Sequence, residues 1–199
     1  MTDNFSYLAF SVFWCKDLMS FKLALEDILI STKCRQLSVV HAKPYFPEYY
    51  NQQYNPRIRK VSFWKERGNE DHIFFLSNVI DGCHSICYLL NKRFHYAYTK
   101  CTMSNKGSEY GFAYHFLYAD TNSHERVIMA YQDPHWVFYE EGEPLDFEDT
   151  SLYKKRLKKD RLNNEIIKDY LLKLGIDFNK MGTEIEESFT IIDNLKTNL

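Results

Sequence analysis

Histidine and cysteine are the side chains that most often act as bases, nucleophiles or metal ligands, and this chain has seven histidines and five cysteines. The histidines are His41, His72, His84, His95, His115, His124 and His135. The sequence has no Gly-x-Ser-x-Gly turn, no phosphate-binding glycine loop and no His-Glu-x-x-His pair. We therefore assign no catalytic residue and no cofactor. A catalytic arrangement assembled from distant residues stays open, because such sites are recognised by geometry.

Cys83 and Cys87 lie four residues apart on a predicted helix, with His84 adjacent, so that both sulfurs could face one metal ion. Zinc needs four ligands, or three and a water, and no second close pair of cysteine or histidine accompanies these two. Both cysteines also fall on the apolar stripe of the helix, where a free thiol packs as a small hydrophobe. We predict core packing and no metal site. The odd cysteine total, without disulfide spacing, indicates reduced thiols in a cytoplasmic protein.

Five aromatic rings alternate along the segment 110–118 and fall on one face of any strand formed there. They are Tyr110, Phe112, Tyr114, Phe116 and Tyr118. The segment matches an RNA-recognition motif over 111–114 but departs from it at Tyr110, His115 and Leu117. That motif also lies between the two helices of its fold, whereas here the match follows both predicted helices. We therefore predict that the row is a wall beneath C-terminal helices.

The composition is that of one ordinary globular domain with an excess of aromatic residues. The chain has 199 residues, 45% hydrophobic and 26% charged, and its aromatic share of 17% includes 15 Tyr and 15 Phe. A net charge of −2 argues against a surface built throughout to attract phosphates. No basic segment precedes an apolar stretch at the N-terminus, and no run approaches the ~18 apolar residues of a membrane span. We expect a cytoplasmic protein without a membrane segment.

The hydrophobic pattern of the first half predicts a strand, a helix, a hairpin and a second helix. The ranges are a central strand over 5–14, a helix over 16–31, a short strand over 37–41 within the long loop 34–59, hairpin strands over 61–65 and 72–76, and a helix over 79–94. Their order is that of a ferredoxin-like βαββαβ unit, once the strand that follows has been added.

The second half continues with strands and then changes to helix. Alternating segments at 95–102, 110–119, 125–132 and 135–140 predict an antiparallel meander. Asn163 can cap a helix that ends before Gly175. A weaker helix is predicted over 184–195, although Thr190, Ile191 and Ile192 would also suit a strand.

These elements predict one α+β domain over residues 1–199, with a mixed or antiparallel sheet packed against two helices and further C-terminal helices. Its parts are a βαββαβ-like half over 1–102, a β-meander over 103–145 and a helical part over 146–199.

Charge is patterned near the end of the meander. An acidic block, Glu140, Glu141, Glu143, Asp146, Glu148 and Asp149, is followed by a basic stretch over 154–161. The two blocks could neutralise each other across a turn on a solvated helix. Alternatively, the acidic residues meet a basic partner while Trp136 and Tyr139 supply binding energy.

Three segments resemble small bacterial immunity proteins of polymorphic toxin systems: Ile73 to Gly82 leading into a helix, Asp133 to Tyr139 ending a hairpin, and Asp160 to Leu162 with Tyr170 to Gly175. The resemblance implies tight binding that neutralises a cognate toxin, without chemistry of its own.

We therefore expect a protein-binding module of the inhibitor type. The candidate partner-binding residues form two sets, Tyr45, Tyr49, Tyr50 and Tyr54 in the long loop and Trp136, Tyr139, Glu140 and Glu141 at the hairpin end. One alternative is an enzyme with a cleft where several of His41, His72, His95, His115 and Glu109 converge. The other is a single-stranded nucleic-acid-binding domain with an exposed aromatic row.

Overall fold

The computed structural model of the chain describes residues 5–30, 35–44, 46, 49, 58–105, 108 and 111–195. Its strands are β1 (Tyr7–Trp14), β2 (Arg35–Val40), β3 (Ile58–Glu66), β4 (Asn69–Ser77), β5 (Tyr98–Ser104), β6 (Ala113–Ala119), β7 (Glu125–Asp133), β8 (His135–Glu141) and β9 (Ile185–Leu195). The helices are α1 (Leu18–Ile30), α2 (His84–Phe94) and α3 (Asn164–Lys173). None of these described helices is long and apolar enough to cross a membrane.

All the strands form one antiparallel sheet in the order β2-β9-β3-β4-β1-β5-β6-β7-β8. Within it, β3-β4-β1-β5 has the strand order of a ferredoxin-like unit, and β1 lies between β4 and β5 as predicted for a strand that is apolar on both alternations. Strands β6, β7 and β8 extend this unit as the expected meander. The predicted α+β class is confirmed.

The two faces of the sheet are covered by different helices. On one face, α1 and α2 pack their apolar stripes on residues such as Phe13, Phe75 and Tyr98, and we call this the α1–α2 face. On the other, α3 and the segments around it pack on Phe10 and Phe74, and we call this the α3 face. Side chains alternate between the faces along each strand, so the register of each strand decides which residues reach which helix.

The C-terminal third begins as the sequence predicts. The Asn163 side chain accepts a hydrogen bond from the Ile166 amide at 3.1 Å and caps α3, and Gly175 follows the helix with φ 82°. The basic stretch before it does not form a full helix, because only two short 3₁₀ turns occur, Leu152–Lys154 and Lys158–Asp160.

The helix predicted over 184–195 is wrong, and this part of the 146–199 region is strand β9. It inserts between β2 and β3 and hydrogen-bonds to both. Phe189 and Ile191 are buried on the α1–α2 face. The β-branched run from Thr190 to Ile192 favours the extended backbone, and pairing on both sides outweighs the local helical spacing.

Candidate functional site

The aromatic row on β6 lies against the α3 face and is largely covered. Phe116 is fully buried, and its ring centroid is 5.4 Å from that of Tyr170 on α3. Tyr118 packs at 5.6 Å from Trp14, and Tyr114 stacks at 6.0 Å on Trp136. The described part of the row therefore forms a wall of the core, whereas Tyr110 lies outside the described residues.

Only one member of the tyrosine set of the long loop, Tyr49, lies within the described residues. Tyr45, Tyr50 and Tyr54 lie outside the described residues. Tyr49 is only 1% exposed, and its hydroxyl shares a hydrogen bond of 2.6 Å with that of Ser62 on β3. Its position as a core residue removes it from the set of surface anchors. Tyr49 is also far from β8 within the sheet, because five strands separate β8 from β3.

The residues at the hairpin end divide between the two faces of β8. Trp136 and Glu140 point to the α3 face, where Trp136 stacks on Tyr114 and Glu140 pairs with Arg126 at 2.7 Å. Tyr139 and Glu141 point to the opposite face, where both are exposed. Alternation along the strand thus gives Trp136 and Glu140 partners on the α3 face, although the Glu140 side chain stays 41% exposed, and leaves Tyr139 and Glu141 on the opposite face.

On the α1–α2 face, the outer strands β6, β7 and β8 present an open surface, which we call the outer shelf. Its members are His115, Val127, Met129, Tyr131, Val137 and Tyr139. The register places Met129 between His115 and Tyr139, and Tyr131 opposite Val137. Tyr131 and Tyr139 are 36% and 41% exposed, whereas the other four members are partly buried and Val127 packs against the core beneath the two helices.

One end of the outer shelf is strongly acidic. An open cavity of about 940 Å³ lies there, between α2, the β6–β7 turn and the segment after β8. The acidic residues that line it are Asp120, Glu125, Glu141, Glu143 and Asp146. Its lining includes two basic residues, Lys92 and Arg126. We call the five acids the acidic rim.

Arg126 does not neutralise the acidic rim, because its guanidinium pairs with Glu148 and Glu140. The residue is 3% exposed and donates to Glu148 at 2.7 and 2.9 Å, to Glu140 at 2.7 Å and to the Gly142 carbonyl at 2.9 Å. Burial alone would lower the pKa of Arg126, but hydrogen bonds with Glu148 and Glu140 raise it above its ordinary value. This network anchors the segment after β8.

Behind the shelf, polar side chains converge on the start of α2. Lys100 on β5 is 4% exposed, and its ammonium interacts electrostatically with the Asp81 carboxylate at the start of α2. Burial lowers the pKa of Lys100. Burial, with smaller contributions from Lys100 and His84, holds the pKa of His115 well below its ordinary value. His84 has a buried Nδ1 without a partner.

The histidines considered for an enzyme do not converge. His41 packs beside Phe189, and His72 lies on the α3 face against Trp14. His95 ends α2 in a left-handed conformation, with its ring near the Thr121 carbonyl. Glu109 lies outside the described residues. Across the part of the chain that the structure describes, no group of three or more His, Cys, Asp or Glu side chains could hold a metal ion.

Sequence reasoning named Tyr139 of the outer shelf and Glu141 of the acidic rim for partner binding, and His115 only for an enzyme, but it missed the other members of the outer shelf. The available signal was the alternation of Val127, Met129 and Tyr131 on a predicted strand. That pattern places the three side chains on one face but does not say which face a helix leaves open.

Comparisons with known proteins identify no relative from which a function could be transferred. No protein-family model matches the chain, and neither the search of curated proteins nor that of solved structures found a match.

Proposed function

We propose that this protein is a protein-binding module that docks a basic protein surface on its outer shelf. The observation that carries the proposal is a partly exposed apolar and aromatic sheet face, with two exposed tyrosines and an acidic rim at one end. Exposed tyrosines next to aliphatic and methionine side chains are typical of the centre of a protein interface, and charged residues are typical of its edge.

The two parts of the surface would have different roles. Tyr131 and Tyr139 can bury large rings at low entropic cost and serve as anchors. The acidic rim would attract and orient a partner rich in Lys and Arg, which increases the association rate and selects against acidic partners. Glu141 connects the two parts of the surface, because it belongs to the acidic rim and its carboxylate accepts a hydrogen bond from the Tyr139 hydroxyl.

We further propose that binding neutralises a toxin in the cytoplasm. The support for this step is the resemblance of three segments to immunity proteins, in which tight binding is itself the function. The free thiols at the described positions Cys15, Cys83, Cys87 and Cys101 are compatible with a reducing compartment.

Site-specific photocross-linking in the native cells tests this proposal. The full chain carries p-benzoylphenylalanine at position 139, and the matched control carries it at position 172, where an exposed leucine lies on α3. We expect one protein to be captured from position 139 and not from position 172. Expression of that protein alone should arrest growth, and co-expression of this chain should restore it.

Two results would contradict the proposal. Equal capture from both positions, or no capture from position 139, removes the outer shelf as the docking surface. Capture of a partner whose expression leaves growth unaffected would support the binding module and contradict the neutralisation of a toxin.

A further inference from the structure

We propose that two copies of this chain associate, with the basic stretch over 154–161 of each copy docked on the outer shelf and acidic rim of the other. We call this stretch the basic segment. The inference rests on the docking surface of the proposed function and names a second copy of the chain as a partner for that surface. The two proposals can fail separately, because a toxin can also dock on a monomeric chain.

The first observation is that the charge of the basic segment is not paired within one copy. The segment carries six cations in eight residues, which are Lys154, Lys155, Arg156, Lys158, Lys159 and Arg161. Residues 154–159 are all exposed, and none of the six cations forms an ion pair with another described residue. Lys155 makes only a minor electrostatic contribution at Asp149. The acidic and basic blocks that are neighbours in sequence are therefore not joined by ion pairs in the folded chain.

The second observation is that the fold holds the basic segment beside the edge of the sheet. Tyr153 and Leu162, which flank the segment, are buried on the α3 face. The Tyr153 hydroxyl donates a hydrogen bond to Glu148 at 2.7 Å, and the Arg161 guanidinium lies 5.3 Å from the centre of the Phe138 ring on β8. A segment that is fixed at both ends loses little conformational entropy when it binds, which favours association.

The third observation is that the basic segment matches the outer shelf and acidic rim in chemistry. Leu157, in the middle of the segment, is 46% exposed and has cations on both sides in the sequence. Glu143 and Asp146 on the rim are exposed and form no ion pair among the described residues. The leucine can contact the exposed ring of Tyr139 while the cations pair with the rim, which combines an apolar anchor with charge complementarity.

The fold also allows both contacts to form at once. Strand β8 is at the edge of the sheet, with the basic segment on its α3 side and the acidic rim bordering α2 on the other side. A two-fold axis parallel to β8 turns the α3 side of one copy toward the α1–α2 side of the other, so the basic segment of each copy approaches the rim of its partner. Along β8, Glu141 is three residues from Phe138, or ~10 Å, which lysine side chains on a segment of this length can span. The result is a closed dimer that covers the outer shelf.

Sedimentation equilibrium on the full chain tests the inference. Measurements are made at about 0.1 M and about 1 M sodium chloride, between which the electrostatic screening length falls from ~10 Å to ~3 Å. We expect a monomer–dimer equilibrium whose dissociation constant is at least about tenfold larger at the higher salt concentration. A chain that is monomeric at both concentrations would overturn the inference, and so would a dissociation constant that salt leaves unchanged.

Charge reversal identifies the surfaces that pair. Lys158→Glu with Lys159→Glu reverses the basic segment, and Glu143→Lys with Asp146→Lys reverses the acidic rim. Each double variant alone should dimerise at least about 30-fold more weakly, because like charges then face each other. An equimolar mixture of the two double variants should recover the affinity of the natural chain, which would also show that both are folded.

The control for charge reversal is Lys16→Glu with Arg67→Glu, at exposed cations after β1 and in the β3–β4 turn. It makes the same change in net charge as the reversed basic segment and should leave the dissociation constant unchanged. Equal weakening in this control, or a mixture that fails to recover the affinity, would contradict the pairing of the basic segment with the rim.

Photocross-linking from position 139 distinguishes the failure of this inference from the failure of the proposed function. Capture of the chain alone would support self-association and contradict the docking of a toxin. Capture of a different protein by a chain that stays monomeric would retain the proposed function and overturn self-association. A monomeric chain whose basic segment binds a fluorescent single-stranded oligonucleotide would assign the segment to a polyanion, and that result would also overturn the inference.

Discussion

Lys100 is placed where burial opposes its charge, and this has a consequence for stability. Its folded-state pKa lies below the ordinary 10.5, so the unfolded chain binds more protons as pH approaches that value, and stability should rise with pH in this window. Lys100→Met should increase the free energy of unfolding at pH 7 and reduce this rise. Urea denaturation at pH 7 and 9.5 measures both effects.

The control for that experiment is Lys92→Met, which changes an exposed lysine on α2. It should leave the unfolding free energy within about 0.5 kcal/mol of the natural chain at both pH values. A loss of stability in Lys100→Met at pH 7, or an unchanged dependence on pH, would show that the ammonium is not an unfavourable buried charge.

His115 should make the protein sensitive to acid. Its folded-state pKa lies well below 6.5, so its contribution to stability is complete above pH 6.5 and is lost as pH falls toward the folded value. The loss amounts to at most about 1.4 kcal/mol per pH unit. His115→Gln should therefore flatten the stability curve below pH 6.5, as measured by urea denaturation between pH 4.5 and 7.

A substitution at exposed His135 serves as the comparison. His135→Gln should preserve the slope of the natural chain. Residual slope in His115→Gln is expected, because burial also lowers the pKa of His72 and His84. Identical slopes in the two variants would contradict a lowered pKa for His115.

At the scale of elements, the pair Arg126–Glu148 holds the segment after β8 against the core. The Glu148 carboxylate is fully buried and accepts hydrogen bonds from Arg126 and from the Tyr153 hydroxyl at 2.7 Å. Arg126→Met should cost about 3–5 kcal/mol of unfolding free energy, because it leaves a buried carboxylate unpaired. The double variant Arg126→Met, Glu148→Met should recover at least half of that loss.

Chemical denaturation of the natural chain and both variants measures this coupling. Tyr153 and Tyr170 keep a hydrogen bond of 2.9 Å with each other in the double variant, so few polar atoms are left without a partner. A double variant less stable than the single one would indicate that the network, rather than the unpaired charge, determines the cost.

The cap of α3 was predictable from sequence and gives a further test. Asn163→Ala should cost about 1 kcal/mol, because the Ile166 amide loses its acceptor. Asn163→Ser keeps an oxygen in the capping position and should retain most of the stability. Equal losses in the two variants would argue against a capping role.

Elements with a strong local signal were correctly predicted, whereas those fixed by distant partners were not. The 61–76 hairpin and the meander follow from alternation and turn residues close in sequence. Strand β9 pairs with β3 across more than a hundred residues, and no local pattern encodes that pairing. For this reason, the weak helical spacing of apolar residues over 184–195 predicted the wrong element.

At the scale of the whole molecule, the docking surface depends on where the helices end. The alternation of Trp136 and Tyr139 predicts that the two rings lie on opposite faces, but only the sheet order places β8 at an edge beyond the reach of α2. For this reason sequence grouped Trp136, Tyr139, Glu140 and Glu141 as one surface, whereas the fold assigns two of them to internal contacts. Apart from Val137 on β8, the remaining shelf residues come from β6 and β7, which approach β8 only in the folded chain.

The measurement that tests the docking claim most directly is the affinity of the captured partner for paired alanine variants. Tyr131→Ala with Tyr139→Ala removes two exposed rings of the outer shelf, and Leu23→Ala with Leu172→Ala removes two exposed leucines on α1 and α3. Calorimetric titration should give a dissociation constant at least about 30-fold larger for the tyrosine variant, equivalent to ~2 kcal/mol, and an unchanged one for the leucine variant. Affinity of the tyrosine variant within about threefold of the natural chain would contradict the outer shelf as the binding surface.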